Sequence, residues 1–288
     1  MLHLHNIISG IWAIDQMYAR QYYPMIASWI KGERMEAHSD QGQKKDAFVR
    51  VAVKGTTAYE VSDYGEAVSP DDVPEGSVAI ISIMGAITKH DQWCGPSGML
   101  TKSSLLRRCY ANNNILGVIL HLETGGGEGH ASRLMAEAIR ERNKPVIAFA
   151  DDFCASAGMM IAAACDRIIA SSELTRLGSI GTYMTIADDT KYWEDLGVRW
   201  IEVYADASKD KNKDYYDALK GDFSGIKKLV NRYNDHFLQS IRTDRGDLAA
   251  KNEKEWSTGK MFFAQEAISI GLADEIGTLE DVVNSFNT

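Results

Sequence analysis

The chain has 288 residues, 45% of them hydrophobic, which is enough for one large α/β domain or two small ones with a real core. Its 31 Lys and Arg against 40 Asp and Glu leave a net charge of −9, which argues against a general nucleic-acid binder, since such proteins present a basic face. The four cysteines, Cys94, Cys109, Cys154 and Cys165, form no C-x-x-C pair and read as reduced thiols of a cytoplasmic protein rather than as zinc ligands or disulfides.

Residues 1–47 read as an N-terminal arm and linker. The first part is rich in Trp, Tyr, Met and Ile, but Asp15, Arg20 and Lys31 interrupt it. No apolar run approaches the roughly 20 residues of a membrane span, and no basic segment precedes a small-residue cleavage site. An amphipathic helical arm is expected, followed by a polar stretch up to Ala47. Phe48 to Glu60 alternates apolar and polar residues and predicts an antiparallel strand or hairpin. Pro70, Pro74 and Gly76 then mark a turn-rich connection.

From Ser77 onward the pattern is regular. Val78–Met84, Leu116–Leu122, Val146–Ala150 and Asp166–Ala170 predict buried strands. Lys102–Asn112, Ala131–Arg142 and Ala157–Ala164 predict helices between them. Strands alternating with helices predict parallel βαβ units in an α/β domain covering residues 48–288. Lys89–Thr101, with Trp93, Gly95, Pro96 and Gly98, and Ser208–Asp217 read as surface loops.

Four short segments are candidates for chemistry. Glu123-Thr124-Gly125-Gly126-Gly127 lies between a strand and a helix, where glycines let backbone N–H groups approach a ligand and face negative charge. Walker and Rossmann spacings are absent, so a phosphate cradle is disfavoured against a structural turn or an anion-binding strap. Cys154-Ala155-Ser156-Ala157-Gly158 also lies between strand and helix, and Ser156 is either a helix N-cap or a nucleophile. Leu177-Gly178-Ser179-Ile180-Gly181 reads as a tight turn, and Ser208-Lys209-Asp210-Lys211-Asn212-Lys213 as a charged loop. His121 in its apolar strand reads as a core residue, Cys154 as a small buried filler and Asp151-Asp152 as a solvated turn. No G-x-S-x-G elbow is present, and no cofactor or metal is expected.

Taken in order, strand–GGG–helix, strand–A-S-A-G–helix, G-S-I-G and a Lys-Asp pair resemble the signal peptide peptidase A (protease IV) family of serine peptidases. The resemblance runs from about Ser77 to the C-terminus. It includes Trp256-Ser257-Thr258-Gly259-Lys260-Met261-Phe262, Ala267 and Gly271-Leu272-Ala273-Asp274-Glu275-Ile276-Gly277. It implies a ClpP/crotonase-like α/β fold of repeated ββα units with a mainly parallel sheet. It further implies a Ser–Lys dyad in which Ser156 is the nucleophile, Lys209 the general base and Ser179 a partner of the lysine. Gly125, Gly126 and Ala157 would form the oxyanion hole. A lysine acts as a base at neutral pH only if its pKa falls by about two to three units from roughly 10.4. Two departures stand out: Thr124 where the family usually has Pro, and Ala157 where it usually has Gly. Lys211 and Lys213 lie beside Lys209 as competitors for the role of base.

The leading segment, with Ala13-Ile14-Asp15, Tyr18-Ala19 and Ala27-Ser28-Trp29-Ile30-Lys31-Gly32, resembles the phage and prophage head peptidases of that family. That resemblance implies cleavage of scaffold or capsid proteins in the host cytoplasm or prohead, by a ring-forming homo-oligomer. A degradative cytosolic peptidase, an acyl-CoA enzyme on the same fold and an inactive oligomeric assembly protein remain open alternatives.

Overall fold

The computed structural model describes residues 11–14, 50–52, 69–92 and 95–286. They fall into two compact units, each described by itself: residues 13–181 with 237–288, and residues 1–12 with 182–236.

The larger unit is built on a mainly parallel sheet. Its strands are β2 (Arg50–Ala52), β3 (Ser77–Ile87), β4 (Ile115–Glu128), β5 (Val146–Ala155), β6 (Arg167–Ala170), β7 (Arg176–Gly178), β9 (Met261–Phe263) and β10 (Glu275–Ile276). The pairs β3–β4, β4–β5, β5–β6, β5–β7 and β6–β10 are parallel, while β2–β3 and β7–β9 are antiparallel. Helices α1 (Met99–Ala111), α2 (Gly129–Arg140) and α3 (Ala157–Ala163) follow β3, β4 and β5. This is the strand–helix alternation of an α/β protein with a mainly parallel sheet.

The strands are continuous apolar runs because both faces are covered. Val118, Leu120 and Leu122 of β4 join the large cluster with Leu106 of α1, Met135 and Ile139 of α2 and Ile161 of α3. Ile119 points to the other face and packs with Ile80, Phe149 and Val282 and Val283 of the C-terminal helix Leu279–Ser285. On α2, Ala131, Met135, Ala138 and Ile139 recur at helical spacing, and all are buried.

The smaller unit contains two backbone pairs between Ile11–Trp12 and Tyr183–Met184, the latter being β8. It also holds α4 (Thr190–Asp195), the 3-10 turn Asp206–Ser208 and α5 (Lys213–Leu219). A long helix, α6 (Ser224–Lys251), starts in this unit, continues into the larger one and is interrupted at Gly246. Trp193 anchors α4 by donating its indole N–H to Asp189 (2.7 Å) and meeting Trp200 edge-on.

Several sequence expectations change. Ile11–Ile14 is a strand, labelled β1, rather than part of a helix, while the rest of the expected helical arm lies outside the described residues. The boundary at residues 47 and 48 also lies outside them. The expected loops are shorter, since helices already begin at Met99 and Lys213. The strand carrying the glycines does not stop before them. β4 continues through Gly125, Gly126 and Gly127, with Ala86 opposite Gly126 and Ile87 opposite Gly127. The reason is steric: a Cβ on Gly127 would stand 2.0 Å from the Ile87 carbonyl oxygen, so only glycine lets the two strands run this close.

Candidate active site

Ser156 is the hinge between β5 and α3. Its backbone adopts φ 56 and ψ −116, a conformation that costs a non-glycine residue about 1–3 kcal/mol. An N-cap serine takes extended dihedrals and accepts a hydrogen bond on its side chain from the first turn. Ser156 does neither: its side chain makes no capping bond. The simple capping role therefore fails, and the strain is left without a local structural reason. The turn is instead held by its backbone. The Ser156 N–H donates to the Gly178 oxygen (2.7 Å), and the Ser156 carbonyl accepts from Met159 N–H (2.9 Å).

The sheet brings Ser179 alongside. The first half of β5, from Ile147 to Ala150, pairs with β6, and the second half, Phe153 to Ala155, pairs with β7. Ala155 lies opposite Gly178, so Ser156 and Ser179 follow each other out of neighbouring strands. Ser179 is itself at φ 52, and its N–H donates to the Lys260 oxygen (2.8 Å). Gly178 is obligatory there, because a Cβ would stand 2.4 Å from that same Lys260 oxygen.

On the other side of β5 lies β4, with Thr124 opposite Cys154 after a register shift at Leu122. This sets Gly125–Gly127 beside the end of β5. The Thr124 hydroxyl donates to the Gly85 oxygen (2.6 Å) and accepts from the Gly126 N–H (3.1 Å). The role of Thr124 was not apparent in the sequence beyond its being a departure from a motif. A buried hydroxyl inside a glycine run was the signal that could have pointed to it.

Ser156, Ser179, Gly125, Gly126 and Ala157 thus belong to one unit, and Ser156 is only 1% exposed. Lys209 belongs to the other unit, exposed at the end of the 3-10 turn. Of its two neighbours, Lys213 is engaged in an ion pair with Asp217, and Lys211 is exposed on the same loop. The loop is braced by Tyr204, whose hydroxyl bonds Glu202 and receives the Asn212 side-chain amide (3.1 Å).

The rival groups are accounted for differently. Cys154 is fully buried, and burial pushes its thiol up to about 12, so it is not a thiolate at neutral pH. His121 is a core residue as expected, with Nε2 2.9 Å from Asp151 Oδ2, but its Nδ1 has no partner among the described residues. Asp151 is not the solvated turn expected: it lies in β5, and its bond to His121 holds the carboxyl below the usual range. Among the described residues, no group of three or more His, Cys, Asp or Glu is placed to hold a metal ion.

A strained, non-capping serine at a strand-to-helix turn, flanked by a glycine strap and a second serine turn on a mainly parallel sheet, marks an α/β protein with a candidate nucleophile. Residues 138–288 match the family model of peptidase family S49, and the chain belongs to that family. It is 27% identical to protease 4 of Haemophilus influenzae over 72% of this chain and 34% of that protein. It is 25% identical to the head-tail preconnector protein GP5 of Enterobacteria phage P21 over 73% of this chain and 43% of that one. The chain thus spans well under two thirds of these relatives' length. Among solved structures, a point mutant of ClpP1 from Listeria monocytogenes aligns with 71% of this chain and 94% of its own, at a TM-score of 0.45 and 14% identity.

Proposed function

We propose that this protein is a serine peptidase in which Ser156 is the nucleophile. The observation that carries the reading is the Ser156 backbone, strained at the end of β5 while its side chain caps nothing. In the proposed reaction the Ser156 hydroxyl proton passes to a general base, for which Lys209 is proposed, as Oγ bonds to the scissile carbonyl carbon. The resulting oxyanion is received by backbone N–H groups of the strap and of Ala157. The C–N bond then breaks, the leaving amine takes the proton from Lys209, and water hydrolyses the ester by the same steps. Ser179, one residue beyond the strand paired with β5, orients the amine.

The phage P21 relative supports a finer reading, in which the substrate is a structural protein of a phage head, cleaved inside the host cell. No helix among the described residues is long and apolar enough to cross a membrane. In the smaller unit, Trp200, Ile201 and Val203 are 69%, 75% and 91% exposed. Exposed apolar side chains of this kind favour assembly into a homo-oligomer. Light scattering tests this: a monomer at working concentration would count against it.

The activity is tested by intact-mass labelling with an alkyl fluorophosphonate on the wild type, Ser156→Ala and Lys209→Ala. One adduct on Ser156, lost in both variants, is the expected result. Absence of any adduct on the folded wild type favours a non-catalytic assembly role, and labelling retained in Lys209→Ala moves the base elsewhere.

A further inference from the structure

We propose that Thr124 is a positioning residue for acylation, resting on the serine peptidase reading above: it fixes the glycine strap against the start of the nucleophile helix. Thr124 is completely buried, and its two branches do separate work. The hydroxyl spans the bulge between β3 and β4, donating to the Gly85 oxygen at 2.6 Å and accepting from the Gly126 N–H at 3.1 Å. The methyl reaches the other way. A Cβ placed on Gly158 would stand 2.6 Å from Thr124 Cγ2, so that methyl packs directly against the backbone one residue after Ala157. One side chain thereby joins the strand that carries Gly125 to the helix that carries the Ala157 amide.

The arrangement also sorts the candidate oxyanion donors. The Gly126 N–H is already bonded to the Thr124 hydroxyl, which removes it from the candidate donors; the amides of Gly125 and Ala157 are the proposed oxyanion donors. An oxyanion hole acts through preorganisation, because donors aimed in advance pay no reorganisation as charge develops. Removal of the Thr124 hydroxyl leaves the buried Gly126 N–H and Gly85 oxygen without that partner. The strap then relaxes to satisfy them, and the Gly125 amide loses its aim. The effect falls on the transition state rather than on ground-state binding.

Valine keeps the shape of threonine without the hydroxyl, and serine keeps the hydroxyl without the methyl. The test uses the full chain and an alkyl fluorophosphonate, with which Ser156 Oγ forms a bond to phosphorus, fluoride leaves and the hydroxyl proton goes to the base. The maximal inactivation rate and the inhibitor's half-saturation concentration are read separately by intact mass, with melting temperature measured for each variant. Thr124→Val is expected to lose about 30- to 100-fold in maximal rate with half-saturation changed less than about threefold. Thr124→Ser is expected to stay within about fivefold in both.

A Thr124→Val protein that labels at the wild-type maximal rate overturns the assignment. So do two variants that lose rate alike, in step with their melting temperatures, since a purely structural residue behaves that way. If Thr124→Val does not fold, Thr124→Ser decides, and a loss approaching a hundredfold there overturns the proposal. A wild type that folds but never labels at Ser156 refutes the peptidase reading itself and removes the assignment with it, an outcome distinct from an active wild type with an indifferent Thr124.

Discussion

Strain at a single residue has a measurable signature. Ser156 sits at φ 56 and ψ −116, where a side chain is disfavoured and glycine is not. Ser156→Gly is therefore expected to raise the melting temperature, by the equivalent of about 1 kcal/mol, while abolishing acylation. Ser156→Ala abolishes acylation too but keeps a Cβ, so it gains no such stability. Thermal unfolding of the two variants side by side checks this, and equal melting temperatures would remove strain as an argument for function. The neighbouring glycines act in the opposite sense. Gly127→Ala places a methyl carbon 2.0 Å from the Ile87 oxygen and must push β3 from β4. A loss of roughly 1–3 kcal/mol in urea unfolding is expected, with slower labelling of Ser156.

Between elements, the end of the family-matched region is fastened to the sheet by an ion pair buried on its arginine side. Arg245 of α6, with only 7% of its side chain exposed, grips both oxygens of Asp274 and also donates from Nε to the Gly271 oxygen at 2.9 Å. Asp274 in turn accepts from the Ile168 N–H of β6 at 2.6 Å. The kink at Gly246, directly after Arg245, turns the helix so that Ala249 meets Trp256, whose indole N–H donates to the Ala249 oxygen at 2.8 Å. Arg245→Ala leaves the Asp274 carboxylate without its cation beside a packed core. With Asp274 partly solvated, the loss is expected to be about 1–3 kcal/mol, from the hydrogen bonds to charged groups that go with it, measured as a shift in urea midpoint. Asp71 and Arg108, both substantially exposed, form a contrasting surface pair whose loss should cost less than about 1 kcal/mol.

At the scale of the whole molecule, buried thiols make the fold sensitive to alkali. Burial pushes Cys109 and Cys154 up to about 12 and Cys165 further, from an ordinary value of 9.0, and it also raises the Tyr110 phenol. A group whose pKa is raised by folding holds its proton more tightly in the native state. The stability this represents is complete below pH 9 and is lost as pH climbs from there toward 12. The urea midpoint is expected to fall between pH 8 and pH 10.5. A Cys109→Ala, Cys154→Ala, Cys165→Ala protein should fall less over the same range, and an equal fall would assign the alkaline transition to other groups.

The sequence by itself determined the α/β class, the run of buried strands and intervening helices from β3 to β6, and the placement of Ser156 at a strand end. These follow from local periodicity, which depends on residues a few positions apart. Its motifs also pointed to the family. Local pattern did not determine that β5 changes partner from β6 to β7 midway, which is what sets Ser179 beside Ser156. Nor did it separate residues 182–236 as a compact unit carrying Lys209. The glycine strap is the sharpest case: read locally, three glycines are a turn, whereas across the sheet Gly127 lies under the Ile87 oxygen, where a Cβ would not fit. Thr124 earns its place only through Gly85, Gly126 and Gly158, contacts that span three elements. Only the tertiary structure decided these features, because each depends on the distance between segments far apart in the chain.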